Sequence, residues 1–287
     1  MPDQLTYIPS LTLCSFFPRS PHPIAKIYWT TGNGMGDNVL FLVGGGGGRM
    51  LGAELADTGL FVRFGALHFA IASVAVLLSA LFVLLPFALP RLLAHKNLAR
   101  AGVAILFLRL GLMLCGTLLD GRSWRNELPF HLCPAALISG SLYFITRRPI
   151  FFNLLYFWHF GSFVAVLYPD LTRAHTILYA YLFMLTHCLE PAMVVFSLLH
   201  LRERISKRGL QCAVLGFLLL AANALFWNRR LGANYLFISK YPLEILRVIR
   251  PFFVYQLLFV SALCLLMLVL YLPFRPSQHG RNQLFVI

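Results

Sequence analysis

Apolar runs long enough to cross a bilayer recur at near-regular spacing from residue 65 to the end of this sequence. A helix needs about 20 apolar residues to span the hydrocarbon core. The runs predict spans over 65–89, 99–119, 129–146, 150–168, 175–199, 209–228 and 251–273. Charged residues make up 12% of the 287 and hydrophobic residues 59%, where an ordinary soluble domain carries about 25% charge. A water-soluble fold of this size cannot hide so much apolar surface. The expected fold is an all-α membrane bundle of about seven transmembrane helices over residues 61–275.

The net charge of +14 does not point to nucleic acid. Its basic residues sit in short segments between the apolar runs, and no exposed basic stretch is interleaved with aromatics. That pattern suits anionic headgroups and the bias of Lys and Arg toward cytoplasmic loops. The loops after spans one, three and five hold three, two and four Lys and Arg, against two and one after spans two and four, which places the N-terminus outside. The loop after span six holds Arg229, Arg230, Lys240, Arg247 and Arg250 and argues the other way, so it is expected to be re-entrant or interfacial.

Residues 1–60 are expected to form an irregular, disordered tail. They carry Pro9, Pro18, Pro21, Pro23 and the run Gly44 to Gly48, without the GK[ST] ending of a phosphate loop. No apolar core with a cleavage site marks a signal peptide. Residues 276–287 form a short C-terminal tail. The six cysteines, Cys14, Cys115, Cys133, Cys188, Cys212 and Cys264, show neither zinc-finger spacing nor a disulfide framework. No metal and no cofactor is expected.

Ionisable groups inside spans are costly and mark functional positions. Glu190 is the one acid well inside a predicted span, and Arg109 is the one base near the middle of another. His131, His159 and His187 fall on spans three, four and five. Residues 127–136 read ELPFHLCPAA. Pro134 suits the first turn of a helix, which puts Cys133 near the N-cap, where the helix dipole favours a thiolate. A thiol nucleophile needs a base and an orienting group. Glu190 follows His187 by three residues, on the same helix face, and Pro191 frees a backbone carbonyl one turn earlier. Cys133, His187 and Glu190 thus have the residue types for acyl-thioester chemistry. Their depths disagree: Cys133 lies about 6 Å into its span and His187 near the centre of its own. A tilted helix, or a third span that starts deep, is required.

LPFHLCPAA (128–136), LLYFWHFGSFVAVLYPDL (154–171), LFMLTHCL (182–189), GANYLFISKYP (232–242) and LVLYLPF (268–274) together resemble the YwaF-like bacterial integral membrane family, within the superfamily containing transmembrane protein 164. The resemblance implies a multi-pass protein of the bacterial inner membrane. Its vertebrate relatives imply a cysteine-dependent phospholipid acyltransferase, and the more distant androgen-induced proteins imply hydrolysis of lipid esters. Carried over, Cys133 matches the nucleophile and His187 the base. The match departs at Pro134, where bacterial members often have Asn or Asp. Arg109, His131, His159, Asn228, Asn234 and Tyr235 are the expected substrate-binding residues, with membrane lipids as partners. The competing expectation is a transporter or a small-molecule or haem-binding protein, with Arg109, Glu190 and the histidines lining a pathway.

Overall fold

A computed structural model of the chain describes residues 26–31, 38–43, 61–171 and 174–275. The chain divides into two compact units, Met1–Asp57 and Thr58–Ile287. In the first, strand β1 (Lys26–Thr31) pairs antiparallel with β2 (Asn38–Val43), with Lys26 opposite Val43. This hairpin lies within the stretch expected to be irregular. The rest of that stretch, with Cys14 and the glycine run, lies outside the described residues, as does the tail after residue 275.

The second unit is all-α. Its helices are α1 (Ala66–Ala88), α2 (His95–Leu118), α3 (Leu132–Thr146), α4 (Pro149–Trp158), α5 (Phe160–Leu167), α6 (Ile177–Leu201), α7 (Lys207–Leu231) and α8 (Phe252–Tyr271). Six segments are long and apolar enough to cross a membrane: α1, α2, α4 with α5, α6, α7 and α8. That is six among the described residues, near the expected bundle of about seven; the third expected span is the shorter apolar helix α3.

Helix α6 is the most buried of these spans and packs against α1, α2, α3, α4 and α5. It carries Thr186, Glu190 and Ser197 as well as apolar side chains, all buried. A helix surrounded by other helices keeps polar groups away from lipid, which suits this span to hold them. Its start is well defined. The Thr176 hydroxyl accepts the Tyr179 amide, and Asp120 accepts the Thr176 hydroxyl and the His175 amide. These contacts fill backbone and side-chain donors at the helix N-terminus.

Helix α3 departs from expectation in length. It has 15 residues, about 22 Å at 1.5 Å per residue, against a hydrocarbon core of about 30 Å. Its C-terminal end is held by charged and polar side chains, which suits a membrane surface. Arg147 follows the last residue and reaches Tyr143 and Glu203, and the Tyr143 hydroxyl donates to Glu203 at 2.7 Å. The N-terminal end therefore starts about 8 Å inside the core. Helix α6 has 25 residues and overhangs both faces, so His187 lies about 11 Å deep. The depth mismatch expected between Cys133 and His187 is thereby removed by a third span that starts deep.

The fourth span, expected as one helix over 150–168, is broken at His159. The break precedes Gly161–Ser162, a pair of small residues that commonly kinks helices. The His159 ring donates from Nδ1 to the Tyr156 carbonyl at 2.7 Å, meeting an acceptor that the break leaves without its helical donor.

Helices α2 and α3 approach closely at Gly102. A Cβ there would lie 2.6 Å from the Ser141 carbonyl oxygen, whereas one on Gly111 would meet nothing within 4 Å. Gly102→Ala is expected to cost about 1–3 kcal/mol through overpacking, and Gly111→Ala to be neutral. Thermal unfolding of the two variants in detergent checks this.

Candidate active site

The site is built where the deep start of α3 meets the middle of α6. His131 is the N-cap of α3, in extended backbone. Cys133 is the second helical residue, and Pro134 falls in the first turn, where no N–H is needed. His187 and Glu190 lie three residues apart on one face of α6. One ligand atom from each of Cys133, His187 and Glu190 lies within 4.8 Å of the other two. Among the described residues no hydrogen bond joins the three. Helix α5 closes the far side: a Cβ on Gly161 would sit 2.9 Å from Cys133 Sγ, so the sulfur packs where only glycine leaves room.

Each member of the trio has a defined state of hydrogen bonding. His187 Nδ1 lies 2.7 Å from the Phe183 carbonyl oxygen. A carbonyl has no proton to give, so Nδ1 carries the hydrogen and Nε2 keeps its lone pair. The orienting group of His187 is thus the Phe183 carbonyl, in the place expected for Glu190, and the Phe183 ring lies 4.2 Å from the imidazole between centroids. Glu190 is 1% exposed, and its Oε2 has no hydrogen-bond partner among the described residues. An unmet buried carboxylate oxygen is rare and calls for a bound partner.

Arg109 supplies the positive charge. Its Nη2 donates to the Glu127 carbonyl at 2.8 Å. Its Nε and Nη1 are buried without a partner among the described residues. The guanidinium is in electrostatic reach of Glu190, His131 and His187. Glu127, which was not anticipated from sequence, organises this region. It is 6% exposed. Its carboxylate accepts from Arg122 at 2.7 Å and from the Tyr179 hydroxyl at 3.4 Å, while its backbone carbonyl holds Arg109. The available signal was an acid directly before LPFHLCP in a chain with only ten acids.

His131 is held from the other side. The Leu236 amide donates to its Nδ1 at 3.3 Å, so Nε2 carries the ring hydrogen. Leu236 belongs to the linker between α7 and α8, which folds inward with Tyr235, Leu236 and Ile238 buried. The part of the linker after Leu243 is largely exposed, with Ile245 and Val248 among its exposed apolar residues.

The remaining expected substrate-binding residues build this linker. Asn228 accepts the Tyr235 amide at 2.7 Å and donates to the Tyr235 carbonyl at 3.0 Å. Asn234 Oδ1 accepts the Ser239 and Lys240 amides, and its Nδ2 donates to the Lys240 carbonyl. In both asparagines the side-chain oxygen and the side-chain nitrogen are each engaged by linker backbone. The Tyr235 hydroxyl donates to the Arg125 carbonyl, and burial holds its phenol above the usual range, so it stays a donor. Gly232, at φ +69°, ends α7 in the left-handed turn that lets the chain reverse. His159 caps the break described above and belongs to the scaffold as well.

The arrangement can be compared with known proteins. The model of the TMEM164 family matches residues 63–271, nearly the whole helical unit. The chain belongs to the TMEM164 family. No solved structure matches it. It is a multi-pass membrane protein of that family, and the match spans the loop of Glu127, the trio on α3 and α6, and the inward linker.

A groove of about 430 Å³ lies beside the site, lined by Pro129, Phe130, Ala135, Trp158, Leu220 and their neighbours. None of Cys133, His187 and Glu190 lines it; it runs along another face of α3.

Asn228→Ala is expected to cost about 2–4 kcal/mol, because it strands two buried backbone groups of Tyr235. Thermal unfolding checks the loss. Accelerated alkylation of Cys133 in the same variant checks that the linker covers the site.

Proposed function

We infer that this protein carries out acyl transfer on a membrane lipid ester, with Cys133 as nucleophile and His187 as general base. The observation that carries the reading is the convergence of Cys133, His187 and Glu190 within 4.8 Å, at matched depth, with His187 Nε2 free to accept a proton.

The step runs as follows. Cys133 Sγ bonds to the acyl carbonyl carbon while its proton passes to His187 Nε2. Because separated charges are costly in this low-dielectric setting, the proton moves with the attack. The ester C–O bond then breaks, and the leaving oxygen takes the proton from His187. The acyl thioester is resolved by water, giving a hydrolase, or by a second lipid hydroxyl, giving a transferase; His187 takes that nucleophile's proton in turn. The oxyanion of each tetrahedral intermediate is met by groups with unused hydrogens, the Arg109 Nε and Nη1 and the His131 Nε2–H. Donors held in place before the charge develops need no reorganisation when it does.

Membrane lipids are the natural substrate class, since a site at this depth is reached through the bilayer or from the headgroup region. The short basic loops suit anionic headgroups, and the resemblance of the motifs supports a bacterial cell membrane as the location.

Cys133→Ala is expected to abolish acyl-thioester formation from a fluorescent phospholipid, read as hydroxylamine-labile label on the purified protein. His187→Ala is expected to lower its rate by roughly 10²–10⁴-fold. Cys188→Ala, on the neighbouring residue of α6, should leave it unchanged. Undiminished labelling of Cys133→Ala contradicts the reading.

A further inference from the structure

We propose that Cys133 Sγ, His187 Nε2 and the Glu190 carboxylate form a binding site for a divalent cation of the zinc type, and that its occupancy silences the thiol. The binding stands on geometry alone; the silencing rests on the acyl-transfer reading.

The donor set is the first argument. One thiolate, one imidazole and one carboxylate are zinc ligands, and three protein ligands with one open position are the pattern of an accessible zinc site. Bonds of about 2.0–2.3 Å to a tetrahedral ion require donor separations of roughly 3.5 Å. One ligand atom of each residue already lies within 4.8 Å of the other two, so closure needs side-chain movement of about 1 Å.

The second argument is the surrounding shell. A zinc-binding histidine usually donates its other ring hydrogen to a carbonyl or carboxylate, which fixes the tautomer. His187 Nδ1 does this to the Phe183 carbonyl at 2.7 Å. Glu190, 1% exposed, presents an oxygen without any partner.

The third argument is charge. A divalent cation with one thiolate and one carboxylate is neutral, which suits a site inside a bilayer where isolated charge is costly. Each binding event releases the Cys133 thiol proton, and the Glu190 proton if the carboxyl holds one, so affinity rises with pH. The Arg109 guanidinium opposes the cation, but its Nη2 is tied to the Glu127 carbonyl, and its free N–H groups favour an anion in the fourth position. Zinc selects this set over magnesium or calcium, which prefer all-oxygen sites.

The test uses the full-length protein in detergent after chelation. Cobalt(II) is expected to bind at one equivalent, with a thiolate-to-cobalt charge-transfer band and intense visible bands of four-coordinate cobalt, all displaced by zinc. Cys133→Ser should lose the charge-transfer band, and His187→Ala and Glu190→Gln should lose the one-equivalent binding. Cys212→Ser and Cys264→Ser should keep both. Zinc should also block alkylation of Cys133 in the wild-type protein, read by mass spectrometry, which needs no folded variant. Cobalt binding without a charge-transfer band, or Cys133 alkylation unaffected by zinc, overturns the proposal. Acyl-thioester formation on the metal-free protein is scored separately: its absence with the cobalt spectrum intact rejects the acyl-transfer reading and leaves the metal site standing.

Discussion

Non-helical backbone at membrane depth must find every hydrogen-bond partner within the protein. This constraint governs the described structure, because α3 is too short to cross the hydrocarbon and its N-terminal end begins inside it. The segment Leu128–His131 is therefore irregular chain at depth. It is met by the inward linker between α7 and α8, whose Leu236 amide reaches His131 and whose Tyr235 hydroxyl reaches the Arg125 carbonyl. Phe130 packs against Trp227 and Tyr235 with ring centroids 6.0 and 5.2 Å apart. Asn228 then fastens the linker to α7. Two irregular segments satisfy each other, and neither is tolerable alone.

The chemistry follows from that arrangement. A third span of ordinary length would hold Cys133 near the interface, a turn or more above His187. Starting deep brings the thiol level with the middle of α6. The Glu127 loop adds the counterpart: one residue holds Arg122 through its carboxylate and Arg109 through its carbonyl, leaving two Arg109 nitrogens without a partner among the described residues. The break at His159 completes the enclosure, since Gly161 behind it gives the sulfur its place.

Much of this was legible in the sequence. Apolar runs carry the span count because the bilayer fixes a length and a polarity, and both are local properties. Cys133, His187 and Glu190 were legible because the chain has so few polar groups in its spans that each one stands out. What was hidden depends on how the backbone folds back on itself. The two asparagines look like ligand-binding groups until their acceptors and donors are found on the linker seven and six residues away. The orienting role expected for Glu190 goes to the Phe183 carbonyl, a backbone group present at every position and so invisible as a signal. Glu127 sits in a loop by hydropathy, and nothing local says that the loop turns inward. The hairpin of β1 and β2 was missed because its short strands sit among Pro- and Gly-rich sequence that reads as irregular.

The start of α3 and the middle of α6 meet at one site, where Cys133 and His187 lie side by side. This meeting is tested most directly by placing a second thiol at position 187 (His187→Cys) in a protein whose other cysteines, Cys133 excepted, are replaced, and titrating it with mercuric ion. The account predicts one ion per chain bridging Cys133 and position 187, seen as a single bis-thiolate adduct in the intact mass. Two ions per chain, each held by one thiol, would place the residues apart and contradict it.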